Sequence, residues 1–85
     1  MNLPDKLEEV KRIKMVKIFE KWYIAFLRAD GSPIPDALNV RFQEAREEKI
    51  IEAVLLYFHV AGYPFFSSIY TDDERCYDPQ PQEKQ

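Results

Sequence analysis

Residues 14–28 read KMVKIFEKWYIAFLR, and the conformation of this stretch decides the fold of the chain. As a helix, the stretch gathers its basic residues on one side, because they recur at spacings of three, four and seven. As a single strand, it would place Lys17 and Lys21 on the same face as Phe19 and Leu27, which spoils a half-buried sheet. The pattern therefore favours a helix.

The same stretch also carries the sequence features of a β-hairpin, and this alternative stays open. Its second half, WYIAFL at residues 22–27, is rich in residue types that favour strands. Asp30 and Gly31 then form a dipeptide that is typical of hairpin turns. The alternative to a helical protein is therefore an α+β fold with a central β-hairpin within residues 22–42.

The turn-forming residues further along the chain predict an antiparallel helical hairpin. Gly31 and the two prolines after it end the first helix, and Gly62 and Pro64 end the second. The predicted fold class is all-α, with two long helices and a short aromatic C-terminal lid in one domain over residues 1–77. The predicted segments are a helix at about 5–29, a linker at 30–35, a helix at about 36–61, a lid at 62–77 and a disordered tail at 78–85.

The predicted first helix carries its apolar residues on two different sides, and the change falls near Lys14. A monomer has little use for a second apolar side on one helix. A chain of 85 residues also buries too little surface for high stability by itself. We therefore expect a dimer, or another second body, against the earlier side. That side consists of Leu3, Leu7, Val10 and Ile13.

Composition and charge describe an ordinary globular chain. It is 46% hydrophobic. Its formal charge of −3 argues against a surface built as a whole to hold phosphates. One cysteine, Cys76, cannot form an internal disulfide. The sequence begins without the pattern of a signal peptide, and it contains no run of apolar residues long enough for a transmembrane segment. We therefore expect a small acidic protein in the cytoplasm.

The residue types that catalysis requires are scarce. His59 is the sole histidine, which excludes a charge relay or a multi-histidine metal site within one chain. Gly31 and Gly62 lie in no phosphate-binding motif. Ser67 and Cys76 have no base near them in the sequence. The sequence predicts a protein that is not an enzyme, with no catalytic residues, no metal and no cofactor.

The leading hypothesis for function is a small regulatory interaction protein, such as an adaptor, an inhibitor or an assembly subunit. It would bind a larger protein partner through a helix face and aromatic anchors, because aromatic residues dominate the energetics of protein interfaces. Together with the earlier apolar side of the first helix, the nominated partner-binding residues are Trp22, Tyr23, Phe65 and Phe66.

The alternative hypothesis is a regulator that binds nucleic acid through the basic face of the first helix in a dimer. This face is the strongest local concentration of positive charge in the chain. Its residues are Lys11, Lys14, Lys17, Lys21 and Arg28. Contact of the same helix with an anionic membrane surface is a third hypothesis, which conflicts with the need to bury its aromatic residues.

Overall fold

The computed structural model describes residues 3–34, 43–45 and 49–79, with the backbone alone at 43–45. Strands form most of the described structure, so the predicted all-α helical hairpin is wrong and the α+β alternative is closer. In chain order the elements are a 3-10 helix at Leu7–Glu9, β1 at Arg12–Ile18, β2 at Lys21–Leu27, β3 at Pro33–Ile34, β4 at Gln43–Ala45, α1 at Ile50–Val60, β5 at Phe65–Tyr70 and β6 at Glu74–Pro79.

The strands form one antiparallel sheet in the order β3-β2-β1-β6-β5. β1 lies in the middle and pairs with β2 on one side and β6 on the other. The outer edge of β2 is shared, because β3 pairs with its end and β4 with its beginning. Sequence neighbours therefore form the hairpins β1-β2, β2-β3 and β5-β6, while the β1-β6 pair joins distant parts of the chain.

A two-residue turn between β1 and β2 explains why the sequence pattern predicted a helix instead of two strands. Ile18 pairs with Lys21, so only Phe19 and Glu20 lie in the turn, with φ of 49° and 66°. Positive φ at both central residues is the backbone of a type I′ turn, whose twist matches that of the two strands. This turn normally contains Asn or Gly. Because Phe and Glu are not turn formers, residues 14–28 had the appearance of one continuous element.

The turn also answers the objection to strands. Lys17 lies opposite Trp22, on the sheet face that α1 covers, whereas Lys21 lies opposite Ile18 on the other face. The two lysines belong to different strands and lie on opposite faces of the sheet. If residues 14–28 formed one strand, as the objection assumed, the two lysines would share a face. The spacing of the lysines matched a helix by coincidence.

The core lies between α1 and one face of the sheet. Cross-strand pairs on this face are Ile13 with Phe26 and Met15 with Ile24, and all four side chains are fully buried. The Phe58 ring of α1 lies 5.9 Å from that of Phe26. The buried residues that α1 adds to the core are Ile51, Val54 and Phe58.

α1 lies within the range predicted for the second helix and is shorter than that range. α1 ends at Val60, and Gly62 follows with φ of 96°. The backbone N–H of Tyr63 donates to the carbonyl of Phe58 at 2.8 Å, and that of Gly62 donates to the carbonyl of His59 at 3.0 Å. These two hydrogen bonds are those of a Schellman motif, which glycine favours because the motif needs positive φ.

The remaining predicted segments also change. β4 occupies part of the range given to the second helix, and the other residues between 35 and 48 lie outside the described part of the chain. The predicted lid at 62–77 consists of β5 and β6 instead, joined by a turn in which Thr71 Oγ1 accepts from the backbone N–H of Glu74 at 2.9 Å. The predicted tail begins inside β6, and residues 80–85 are not described.

The strained turn gives a test of the fold. We expect Phe19→Asn and Glu20→Gly together to raise the free energy of unfolding by about 1 kcal/mol, because both new residues adopt positive φ at lower cost. Urea denaturation measures this change. Glu20→Gln is the control, since it removes the exposed carboxylate that pairs with Lys17 but keeps the Cβ. A double variant no more stable than the wild type would contradict the turn.

Candidate functional site

The structure places the residues nominated for a second body mostly inside the fold. Val10 and Ile13 are buried in the core, and Leu7 packs against it. Leu3 is partly exposed. The apolar side that the sequence assigned to a dimer contact is therefore largely covered by the chain itself.

The four nominated aromatic residues do not form one site. Trp22 is buried beneath α1, and the Phe65 ring lies 5.3 Å from that of Phe58 in the same layer. Tyr23 and Phe66 belong to the other side of the sheet, here called the open face, where Tyr23 is half-buried and Phe66 half-exposed. Two of the four are therefore structural, and two lie on the open face on different strands.

The predicted basic face is dispersed, because β1 and β2 replace the helix that was to carry it. Lys14 and Lys21 are on the open face, whereas Lys17 is on the covered face. Several of the cations have acidic partners. The pairs are Lys14 with Glu74 at 3.4 Å, Lys17 with Glu20 at 3.4 Å and Arg28 with Glu9 at 3.9 Å.

Lys11 and Arg28 do meet, around a shallow hollow of about 270 Å³ that Arg12 and Asp78 also line. Arg12 Nε donates to Asp78 Oδ1 at 2.8 Å, and Arg12 Nη2 donates to Asp78 Oδ2 at 3.0 Å. These hydrogen bonds lower the pKa of Asp78, which holds it as a carboxylate. The positive charge of the hollow is therefore partly neutralised.

Arg75 on β6 is the most unusual side chain of the described structure. It pairs with Met15 and so lies on the covered face, where it is only 7% exposed. Its Cζ lies 4.8 Å from the ring centroid of Trp22 and 4.3 Å from that of Tyr70, its cross-strand neighbour on β5. Stacking on two aromatic faces stabilises a cation and also fixes the plane of the guanidinium group.

Arg75 lines a cleft of about 490 Å³ between the first half of α1 and the end of the β5-β6 hairpin. This volume lies in the range of ordinary ligand pockets. The lining combines two cations and one carboxylate with two phenols and two aliphatic side chains. These residues are Lys49, Ile51, Glu52, Leu55, Tyr70, Arg75 and Tyr77.

The chemistry of the cleft suits one carboxylate on an apolar stem. Arg75 carries a planar guanidinium group, a type of cation that pairs favourably with carboxylates, and Lys49 adds a second positive charge. Ile51 and Leu55 provide apolar surface for methylene groups. Glu52 repels additional negative charge, so a group with a single charge fits better than a polyphosphate.

The described structure also locates the cysteine and the residue types that could bind a metal ion. Burial raises the pKa of the Cys76 thiol, which keeps this buried group protonated and a poor nucleophile. Within residues 3–34 and 49–79, no three His, Cys, Asp or Glu side chains are grouped so that they could hold a metal ion. In the same part of the chain, no helix has the length and apolar character needed to cross a membrane.

Sequence analysis did not predict the cleft, and of the side chains that surround Arg75 it nominated only Trp22. Arg75 and Tyr70 fall in the segment predicted to be a lid, and Arg75 is far from Trp22 along the chain. The sheet order brings them together, since β1 pairs with both β2 and β6. Comparison with known proteins gives no match: no family model fits the sequence, and no curated protein or solved structure is significantly similar to the chain.

The Arg12-Asp78 pair predicts a specific dependence of stability on pH. Because the pKa of Asp78 is lowered in the folded chain, the pair stabilises the fold above the ordinary value of 3.8, and this contribution is lost as pH falls through the lowered pKa. We expect Asp78→Asn to lower the free energy of unfolding by about 1 kcal/mol at neutral pH. The difference from the wild type should shrink at an acidic pH below the ordinary value of 3.8.

Urea denaturation at both pH values measures this effect. Asp72→Asn, in the exposed β5-β6 turn, is the matched control. An equal loss of stability for Asp78→Asn at neutral and at acidic pH would show that ionisation of Asp78 plays no part.

Proposed function

We propose that the protein is a non-enzymatic interaction domain that binds a larger protein partner by taking an acidic side chain of that partner into the Arg75 cleft. The observation that carries the proposal is the buried arginine stacked between Trp22 and Tyr70 at the wall of an open cleft. Arg, Trp and Tyr are the residue types that contribute most to protein interfaces.

The surroundings of the cleft favour a side chain on a protein over a free small acid. The Tyr70 ring stacks on Arg75. Because Tyr70 is 65% exposed, the ring is also accessible to a partner. Ile51 and Leu55 suit the stem of a glutamate, and Lys49 at the exposed rim can pair with its carboxylate. A partner chain would also cover the exposed part of the Tyr70 ring, which a small acid held inside the cleft would leave in solvent.

Fewer observations support the nucleic-acid hypothesis. Lys11, Arg12 and Arg28 surround a hollow on one end of the sheet, but Arg12 holds Asp78 and Arg28 lies near Glu9.

The proposal also includes a cytoplasmic location, which a single free and buried cysteine suits.

Peptides of defined sequence test the proposal directly. Each peptide places Glu, Gln or Lys between the same flanking residues, and the isotope-labelled full chain reports binding through its amide NMR signals. We expect glutamate peptides to shift the signals of Tyr70, Arg75 and Tyr77 and to bind about tenfold more tightly than glutamine peptides, as for a charge-assisted hydrogen bond. Equal binding of the glutamate and glutamine peptides would refute recognition of an acid.

Charge variants connect this binding to the cleft. We expect Lys49→Glu to weaken the binding of glutamate peptides strongly and Glu52→Gln to strengthen it, since the two changes act on the local electrostatic potential in opposite directions. Lys6→Glu is the matched control, because Lys6 is an exposed lysine outside the cleft. If Lys49→Glu and Lys6→Glu have the same effect, the peptides bind elsewhere.

Arg75→Lys separates stacking from charge. Lysine keeps the positive charge but lacks the planar group that lies between the two rings. We expect this variant to remain folded in a thermal melt and to bind glutamate peptides several-fold more weakly than the wild type. Unchanged affinity in a folded Arg75→Lys variant would exclude Arg75 from the site.

A further inference from the structure

The outward side of α1 is apolar although it is not covered by any described element. α1 reads IIEAVLLYFHV, so Glu52 and His59 are its only polar residues. The side facing the sheet accounts for its buried residues, but Leu56 is 62% exposed and Val60 77% exposed. An isolated surface helix normally presents polar residues there. We call the exposed apolar residues the outer stripe, which consists of Ala53, Leu56, Tyr57 and Val60.

The polar residues of α1 have a definite position relative to the outer stripe. At 100° per residue, Leu56 and Val60 form its centre, and Tyr57 lies on one flank. Glu52 and His59 both lie on the opposite flank, one in the first turn and the other in the last. The stripe therefore has a negative residue and a basic residue at opposite ends of the same edge.

We propose that a second copy of this chain packs antiparallel on the outer stripe, across a twofold axis close to Leu56. Such an axis brings the same flank of both helices together with their ends reversed. Glu52 of each copy then lies beside His59 of the other. The midpoint between these residues is half a residue from Leu56, about 0.75 Å along the helix. Two reciprocal contacts therefore form at the register that also stacks the apolar residues.

Self-complementarity distinguishes a second copy from an unrelated partner. With the axis at Leu56, Leu56 faces Leu56, and the small Ala53 of one copy lies within about 1.5 Å along the helix of the level of the larger Val60 of the other. An isologous interface needs one patch that matches itself under a twofold rotation, and the outer stripe satisfies this in both size and charge. The outer stripe points away from the sheet, and of the residues in the proposed contact only Glu52 also lines the Arg75 cleft.

The dimer should be weak. A single short helix per copy buries less than the roughly 800 Å² per partner of a standard protein interface. We therefore expect a dissociation constant on the order of 10 to 100 µM, rather than the tight constant of an obligate dimer. Sedimentation equilibrium of the full chain over about 10 to 500 µM covers this range.

Two substitutions in the outer stripe test the contact. We expect Leu56→Glu and Val60→Glu each to give a monomer over the whole concentration range, while far-UV circular dichroism shows an intact fold. Phe19→Asn is the matched control, because it removes an exposed ring that is 95% accessible at the far hairpin turn. A wild-type chain that is monomeric at every concentration would overturn the proposal, and so would equal dimerisation of Leu56→Glu and wild type.

A charge cycle tests the register and does not depend on disrupting the stripe. We expect His59→Glu to raise the dissociation constant of the dimer about three- to tenfold, because a carboxylate then faces a carboxylate in each of the two symmetric contacts. Adding Glu52→Lys to His59→Glu should restore the wild-type constant or improve on it, since both pairs then carry opposite charges. Asp72→Lys, on an exposed turn, serves as the control for net charge.

The restored dimer is the decisive outcome of this cycle. Neither a folding defect nor an unrelated binding surface would be reversed by a second substitution seven positions away on the same helix. A double variant that associates no better than His59→Glu alone would overturn the antiparallel register.

Discussion

The turn at Phe19 and Glu20 is the constraint on which the rest of the structure depends. Because it contains two residues, it sets the pairing of β1 with β2 and places Ile13 and Met15 on the same face as Ile24 and Phe26 of β2. A slip of one residue would turn these side chains to the opposite face. β6 pairs with β1, so the same register also decides that Arg75 lies beneath α1. The core and the cleft therefore have a common origin.

Burial of Arg75 has a cost that its surroundings offset. A cation removed from water loses hydration, and the charge of arginine cannot be relieved by loss of a proton. The faces of Trp22 and Tyr70 replace part of this hydration through their negative quadrupoles. Because both rings are held by strands, the guanidinium group is oriented before any ligand arrives. Binding then requires less ordering of side chains than it would at a flexible surface arginine.

The sequence predicted those features that depend on local backbone chemistry. Gly62 ends α1 as expected, and Gly31 takes positive φ at the turn after β2. The reversal at Phe19 and Glu20 was not predictable from residue types, because neither residue favours positive φ. The spacing of the lysines then satisfied the helical pattern as well as the strand pattern. Trp22, which stacks on Arg75, was nominated in advance, but none of the residues that line the cleft was, because identifying Arg75 as a site residue requires knowledge of which strands are neighbours.

The sheet order has a consequence for the time course of folding. β1 is the central strand, but its partner β6 is the last described strand to be synthesised, and Ile13 must wait for Tyr77. Until then one edge of β1 has no neighbour, and its unpaired backbone groups can associate with another chain. The long separation between paired residues also slows closure of the sheet. The period between synthesis of the first hairpin and release of the last strand from the ribosome is therefore the interval in which this protein is most exposed to aggregation.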